Sequence, residues 1–415
     1  LWIYTFLLRV GLKLSPLFAR NLKAKKWLDA RDQWKFDLKG FKKSKKIIWF
    51  HCASIGEFEQ ARPVIERLVV SDEYQIAITF FSPSGYEAKS NYKHGDLITY
   101  LPVDLPENVD RFLELLQPDV AIFVKYEFWF NFMEGLNFRK IPMALISAYF
   151  PAKHWTVEWP GILFGWRLAQ FDVIFTQDAM SCDVLSSVMI NNTNQIGDTR
   201  VDRVIEGAEE EWSFPSITKF VDGGSDVLVV GSNWAADDKY LFPVIMNYPQ
   251  LKVIVAPHEL HNDQKINWQK EFKDQFVLIG DLDSSDQKNQ RVLYVDQIGM
   301  LSKLYRFGNA AYVGGGFGKA VHNTLEAAVY GLPVIFGPEN DRFLEIQELK
   351  RLGVGIEVKN GIQLSEAIDK AIGEPAYRSH VENTTSSFFE NQRGASDKIV
   401  YWVREVLKKK ISPFT

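Results

Sequence analysis

A chain of 415 residues exceeds the size at which one hydrophobic core keeps growing, so two domains are expected. With 46% hydrophobic and 24% charged residues it is a folding sequence, not a disordered one, and its formal net charge of -4 gives no global attraction for nucleic acid. Cys52 and Cys182 lie far apart without metal-ligand spacing, which argues against a disulfide framework and fits a reducing compartment.

The segment from Leu1 to Phe18 is strongly apolar, but Arg9 and Lys13 interrupt it before it reaches spanning length. No small-residue cleavage site follows, so neither a membrane span nor a signal peptide is expected. Basic clusters come next, first Arg20, Lys23, Lys25 and Lys26, then Lys42, Lys43, Lys45 and Lys46. Apolar side chains beside clustered cations are what a helix needs to lie among anionic lipid headgroups, so residues 1–46 are expected to form a membrane-interface segment. The plain alternative is a buried helix with a solvated charge run.

Short β-branched and aromatic runs then alternate with longer helical patterns, which predicts strands at 47–50, 75–81, 97–101, 120–124, 143–146 and 173–176. The pattern breaks at Glu209-Glu210-Glu211, Pro215 and Asp222-Gly223-Gly224-Ser225, a polar, turn-rich stretch expected to be a linker over 209–225. A second series predicts strands at 227–230, 252–256, 276–279, 292–295, 310–313, 333–336 and 355–358. The fold class expected is α/β, with two tandem Rossmann-like, doubly wound parallel sheets over 47–208 and 226–385 facing an interdomain cleft. Residues 386–415 should form a terminal helix able to pack back on the first domain.

In open parallel sheets ligands collect beyond the carboxyl ends of the strands, so residues just after strands are the candidates. After the first comes His51-Cys52-Ala53-Ser54-Ile55-Gly56-Glu57, where Glu57 opens a helix whose dipole and free N–H groups favour the anion; such a carboxylate is a candidate general base. A helix-capping glutamate without chemistry is the alternative. Glu127, within Lys125-Tyr126-Glu127-Phe128-Trp129-Phe130, is an acid among aromatics, suited to holding a sugar hydroxyl, or else a core glutamate paired with Lys125 or Arg139. Arg200, in Gly197-Asp198-Thr199-Arg200, is placed to reach a phosphate or carboxylate, with a surface ion pair as the alternative.

In the second half Gly231-Ser232, Pro257-His258 and Ile298-Gly299-Met300 occupy equivalent positions, and their amides are candidates to surround a nucleobase and phosphate. Val313-Gly314-Gly315-Gly316-Phe317-Gly318-Lys319 leads into Asn323-Thr324-Leu325-Glu326 and reads as strand, glycine turn and helix entrance. Gly315 and Gly316 are expected to bare main chain for an anion, with Asn323 and Glu326 on one helix face toward a ribose diol, although glycines at such turns are often purely structural. Asp281, Asp283 and Asp286 lack the glycine and terminal glutamate of a calcium loop and read as a solvated loop, so no metal site is expected.

Taken in order, His51-x-x-Ser54-x-Gly56-Glu57, Ser82-Pro83-Ser84-Gly85, Tyr100-Leu101-Pro102-Val103-Asp104-Leu105-Pro106, Glu127-Phe128-Trp129, Gly314-Gly315 and His322-Asn323-x-Leu325-Glu326-Ala327-Ala328, running on to Gly331-Leu332-Pro333-Val334, resemble the Kdo transferases over nearly the whole chain. Those enzymes attach 3-deoxy-D-manno-oct-2-ulosonic acid (Kdo) to the lipid A precursor. The resemblance implies a GT-B glycosyltransferase that makes an inverting, metal-independent and cofactor-free transfer from CMP-Kdo to a glucosamine hydroxyl at the cytoplasmic face of the inner membrane. It implies Glu57 as general base, Glu127 and Arg200 as transition-state stabilisers, and Pro257-His258, Ile298 to Met300 and Asn323 to Glu326 as donor-binding segments. Departures are Pro257, Thr324, Arg200, Met300, Phe130 and His261, where many relatives carry Arg, Pro, Lys, Glu, Pro and a basic residue respectively. A GT-B enzyme using a UDP-sugar, such as a lipid A disaccharide synthase or an epimerase, remains an alternative, as does a non-catalytic lipid-binding scaffold.

Overall fold

The computed structural model describes residues 1–18, 30–154, 165–222, 224–284, 289–318, 320–341 and 343–409. The cluster Arg20, Lys23, Lys25 and Lys26, together with Gly223, Asp286 and Lys319, lies outside them. The chain divides into two compact units, Leu1–Asp202 with Gln392–Thr415, and Arg203–Asn391.

The first unit is built on a seven-stranded sheet of β1 (Lys46–Cys52), β2 (Tyr74–Phe80), β3 (Leu97–Tyr100), β4 (Val120–Val124), β5 (Met143–Ala148), β6 (Val173–Thr176) and β7 (Thr193–Gln195), ordered β3-β2-β1-β4-β5-β6-β7. All its pairings are parallel. Because successive side chains point to opposite faces, Ile47 and Trp49 of β1 enter one core layer with Trp34, Phe112 and Phe132, while Ile48, Phe50 and Cys52 enter the other with Phe58, Val64 and Leu68. The terminal helix Ala395–Lys409 closes the second layer with Ile399, Val400, Val403 and Leu407. It is separated from the helix Pro375–Gln392 by Gly394, whose φ of 88° only glycine adopts without strain.

Two expectations for the ends of this unit change. Within 1–46, the helix Trp34–Gly40 is a core element, with Trp34 fully buried. Three lysines of the second basic cluster pair with the protein itself, although Lys42 and Lys43 stay exposed. Lys43 Nζ donates to Asp119 at 2.7 Å, Lys45 Nζ to Asp72 at 2.5 Å, and Lys46 Nζ to the Leu407 carbonyl at 3.1 Å. The first helix, Trp2–Phe18, packs Tyr4 on the core beside the preceding Leu1 and turns Trp2, Ile3, Phe6, Leu7, Val10 and Leu14 to solvent. Among the described residues no helix is long and apolar enough to cross a membrane.

The second unit repeats the architecture with β8 (Val227–Asn233), β9 (Lys252–Pro257), β10 (Phe276–Leu278), β11 (Val292–Tyr294), β12 (Ala310–Val313), β13 (Val334–Phe336) and β14 (Gly355–Glu357), ordered β10-β11-β9-β8-β12-β13-β14. The stretch expected as a linker, 209–225, belongs to this unit: it contains the helix Pro215–Val221, which buries Ile217 and Phe220. Arg306 pins its start by donating to the Trp212 carbonyl at 3.0 Å and the Glu210 carbonyl at 3.2 Å. Its end is held by Lys252 Nζ on the Asp222 carbonyl at 3.1 Å.

Candidate active site

Each sheet has a switch point where the chain crosses from one side to the other, between β1 and β4 in the first unit and between β8 and β12 in the second. Such switch points open crevices at the strand carboxyl ends, and the charged and aromatic side chains gather there.

In the first unit the penultimate residue of β1 is His51, which shares the Ile47 and Trp49 face and pairs in register with Thr79 of β2. His51 is fully buried. The indole of Trp49 donates to Thr79 Oγ1 at 2.9 Å, and His51 Nδ1 lies 2.9 Å from that oxygen and 3.2 Å from the Thr79 carbonyl. Its Nε2 lies 2.9 Å from Trp129 Nε1 and 3.1 Å from Glu127 Oε2. Trp129 Nε1 donates to the same oxygen at 2.7 Å. Glu127 is therefore held by His51 and Trp129, not by Lys125 or Arg139; the latter pairs with Asp110 at 3.0 Å. The turn that delivers Glu127 from β4 carries Lys125 at φ 62°, a left-handed conformation that a non-glycine residue adopts at a cost.

Glu57 stands at the third position of the helix Ile55–Val69 and closes a capping box, its Oε2 accepting the Ser54 N–H at 2.9 Å. The sequence suggests that the helix dipole holds this carboxylate as an anion. Instead, burial and then the charge of Glu127 push its carboxyl above the ordinary glutamate range, against the opposing pull of the Ser54 N–H, His51 and Lys125. Burial and the same two carboxylates push the Cys52 thiol well up, which leaves it inert.

Arg200 is gripped by Asp198: Nε lies 3.0 Å and Nη2 2.6 Å from Oδ2, and the Arg200 N–H reaches Oδ1 at 3.0 Å. Burial would raise the Asp198 carboxyl, but the guanidinium, its hydrogen bonds and Lys125 outweigh this and hold it below the usual range. Asp198, His51 and Trp129 are site residues to which sequence reasoning assigned no role; a buried strand-end histidine is the one local signal available.

In the second unit Gly231 lies inside β8, where a Cβ would meet Tyr305 Oη at 2.1 Å, and Ser232 beside it has φ 52°. Pro257 ends β9 and His258 follows. The His258 ring stacks on His322 at 4.0 Å and lies 4.6 Å from Trp234, whose indole donates to His322 Nε2 at 3.0 Å. Trp234 and His322 thus join His258 in an aromatic stack absent from the sequence reading. Ile298 is 91% exposed, Gly299 takes φ 87°, and Met300 precedes the helix Leu301–Leu304.

The glycine turn differs from expectation. The Gly315 N–H is not offered to a ligand, since it donates to Asp237 Oδ2 at 2.9 Å, and the Gly316 carbonyl accepts from Glu339 N at 3.0 Å. Asp237 is fully buried and also accepts from Tyr312 Oη at 2.8 Å and Trp234 N at 2.8 Å. The following helix is only Leu325–Ala328, so Asn323 precedes it. Asn323 still touches Glu326, donating to Oε1 at 3.0 Å, while its Oδ1 accepts the Leu325 N–H at 3.2 Å. Thr324 and Leu325, expected to face the donor, are buried, and Thr324 Oγ1 has no hydrogen-bond partner among the described residues.

The sequence profile described as 3-Deoxy-D-manno-octulosonic-acid transferase (kdotransferase) matches residues 29–203. The 3-deoxy-D-manno-octulosonic acid transferase of Aquifex aeolicus (strain VF5) is 30% identical over 339 residues, which cover 79% of this chain and 87% of that protein. Among solved structures, the calicheamicin glycosyltransferase CalG4 superposes with a TM-score of 0.57 at 10% identity, over 88% of this chain and 99% of its own. The UDP-GlcNAc 2-epimerase from Neisseria meningitidis gives 0.56 at 16%, over 88% of this chain and 100% of its own. These two likenesses establish a GT-B fold. Identity at the level shared with the Aquifex protein, over most of both lengths, places the chain in the 3-deoxy-D-manno-octulosonic acid (Kdo) transferase family of glycosyltransferases.

Proposed function

We propose that the protein transfers Kdo from CMP-Kdo to a glucosamine hydroxyl of a lipid A precursor, with inversion and without a metal ion, at the cytoplasmic face of the bacterial inner membrane. The observation that carries this reading is the pairing of Glu57, a carboxylate with raised proton affinity, with Glu127 fixed by His51 and Trp129 at the switch point of the first sheet. Glu57 takes the proton of the acceptor hydroxyl, whose oxygen attacks the anomeric carbon of Kdo. The bond from that carbon to the phosphate breaks, and CMP departs with its electron pair. Glu127 stabilises the positive charge that develops on the sugar and Arg200 the negative charge on the phosphate, which assigns to fixed groups the role a metal plays elsewhere. Asn323, Glu326, His258 and the residues near Met300 hold CMP.

The test is direct. Purified enzyme given CMP-Kdo and precursor should yield a lipid heavier by Kdo, in the presence of EDTA as well. CMP at a hundredfold excess over its Kd should stabilise the protein by about 2.7 kcal/mol, and UDP should not. Protection by UDP alone would move the reading to a UDP-sugar enzyme, and loss of transfer in EDTA would remove the metal-free step.

Membrane docking is part of the proposal and rests on the outward row Trp2, Ile3, Phe6 and Leu7, of which Trp2 is 79% exposed. Trp2→Glu combined with Phe6→Glu should weaken sedimentation with phosphatidylglycerol vesicles by about 10- to 100-fold, the worth of two partly inserted side chains. Unchanged sedimentation would rule out this face as the contact.

A further inference from the structure

Of the motifs singled out in the sequence, Tyr100-Leu101-Pro102-Val103-Asp104-Leu105-Pro106 has no place in the chemistry above. Yet Asp104 is fully buried and makes an unusual set of bonds. Its Oδ1 accepts the Phe132 N–H at 2.9 Å, and its Oδ2 accepts the Asn131 N–H at 3.0 Å and the Tyr4 hydroxyl at 2.8 Å. Its carbonyl accepts Asn131 Nδ2 at 2.6 Å, and Asn131 Oδ1 accepts from Thr5 Oγ1 at 3.2 Å.

The two amides are the orphan donors of the helix Phe130–Phe138, whose own N-cap, Trp129, supplies no side-chain cap among the described residues. A carboxylate from the loop after β3 caps the helix in its place. The helix start in turn fixes Trp129, and Trp129 donates to Glu127 and lies 2.9 Å from His51 Nε2. Tyr4 adds the first helix of the chain to the same carboxylate, with its ring edge-on to Phe130 at 5.1 Å.

We propose that Asp104 is a positioning residue for the Glu127 site: it caps the helix from outside, holds Trp129 in register with Glu127 and His51, and ties the outward-facing first helix to that same point. The chemistry at stake rests on the function proposed above, but the geometry does not. A carboxylate displaced by about 1 Å loses a large part of its catalytic value, so the effect should fall on turnover and not on donor binding.

Asp104→Asn keeps the shape and loses the charge that serves two amides and a phenol. It should lower kcat about 10-fold with KM for the donor within about twofold. In a Trp129→Phe background the same substitution should cost little more, because both changes act through one indole. Effects that multiply, an unchanged kcat, or a loss confined to KM would overturn the proposal. Should Asp104→Asn fail to fold, Tyr4→Phe removes one of the three bonds and should lower kcat about threefold, again without further loss beside Trp129→Phe; an unchanged kcat overturns it equally. A readout free of turnover separates this idea from the functional reading. In protein labelled with 15N-tryptophan, the Trp129 indole resonance, assigned by its loss in Trp129→Phe, should move in Asp104→Asn while that of buried Trp268 stays in place. A stationary Trp129 resonance sinks the proposal, whereas wild-type protein that transfers no Kdo sinks only the functional reading.

Discussion

Glu57→Gln is expected to lower kcat by about 10³-fold, within the range for removing a general base, while leaving the fold and the affinity for CMP unchanged. The amide oxygen of glutamine can still accept the Ser54 N–H that Glu57 accepts at 2.9 Å, so the cap on the helix Ile55–Val69 survives. What disappears is the proton acceptor. In the unaltered enzyme, burial and the Glu127 charge raise the Glu57 carboxyl above its ordinary value, so kcat should fall as the pH drops through that raised value, and this acid limb should vanish in the variant. Stability runs the other way. A carboxyl whose pKa is higher in the folded chain than in the unfolded one contributes stability at pH below the unfolded value, and that contribution is lost as pH rises through the folded value. Ionising Glu57 for catalysis therefore works against the fold, and the glutamine variant should melt no lower than wild type at neutral pH. A variant with kcat within tenfold of wild type, or one that keeps the acid limb, would remove Glu57 as the base.

What the sequence disclosed, and what it hid, follows from the range of each interaction. The helix start at Glu57 is legible because an apolar run, a serine and a glutamate three residues on mark a strand feeding a capped helix, all within a short stretch of chain. Strands such as Val120–Val124 were legible because a strand buried on both faces writes itself as an uninterrupted apolar run. Thr193–Gln195 was missed because it is a polar edge strand that pairs only with β6. The stretch 209–225 reads as a linker because its glutamates, Pro215 and glycines carry that signature, while the two residues that bury it, Ile217 and Phe220, are too few to form a pattern. Neither the His51–Glu127 contact, 76 residues apart, nor the Asp237–Gly315 contact, 78 apart, leaves any local trace. Both exist because parallel sheets bring distant strand ends to a common rim.

The glycine turn after β12 gives the sharpest separation between a structural and a ligand-binding account. A methyl group at Gly314 would stand 2.4 Å from Asn233 Cα and 2.6 Å from the Ser232 carbonyl, and one at Gly316 would stand 2.6 Å from the backbone of Gly337. Backbone cannot step aside as a side chain can, so these glycines are required for β12 to run beside β8 and β13 at normal spacing. Gly314→Ala should therefore destabilise the second unit by about 3 kcal/mol, as overpacking a rigid core does. For a unit of this size that corresponds to a melting point lower by about 6–12 °C. Gly318 is the control: its added methyl would meet only the Ala236 Cβ at 3.5 Å, an ordinary contact, so Gly318→Ala should change stability by less than about 0.5 kcal/mol. Were the turn built to admit a phosphate, the outcome would invert. Gly314→Ala would then fold normally and lose CMP-dependent protection, and the tight backbone packing around Gly314 would not be what demands glycine there.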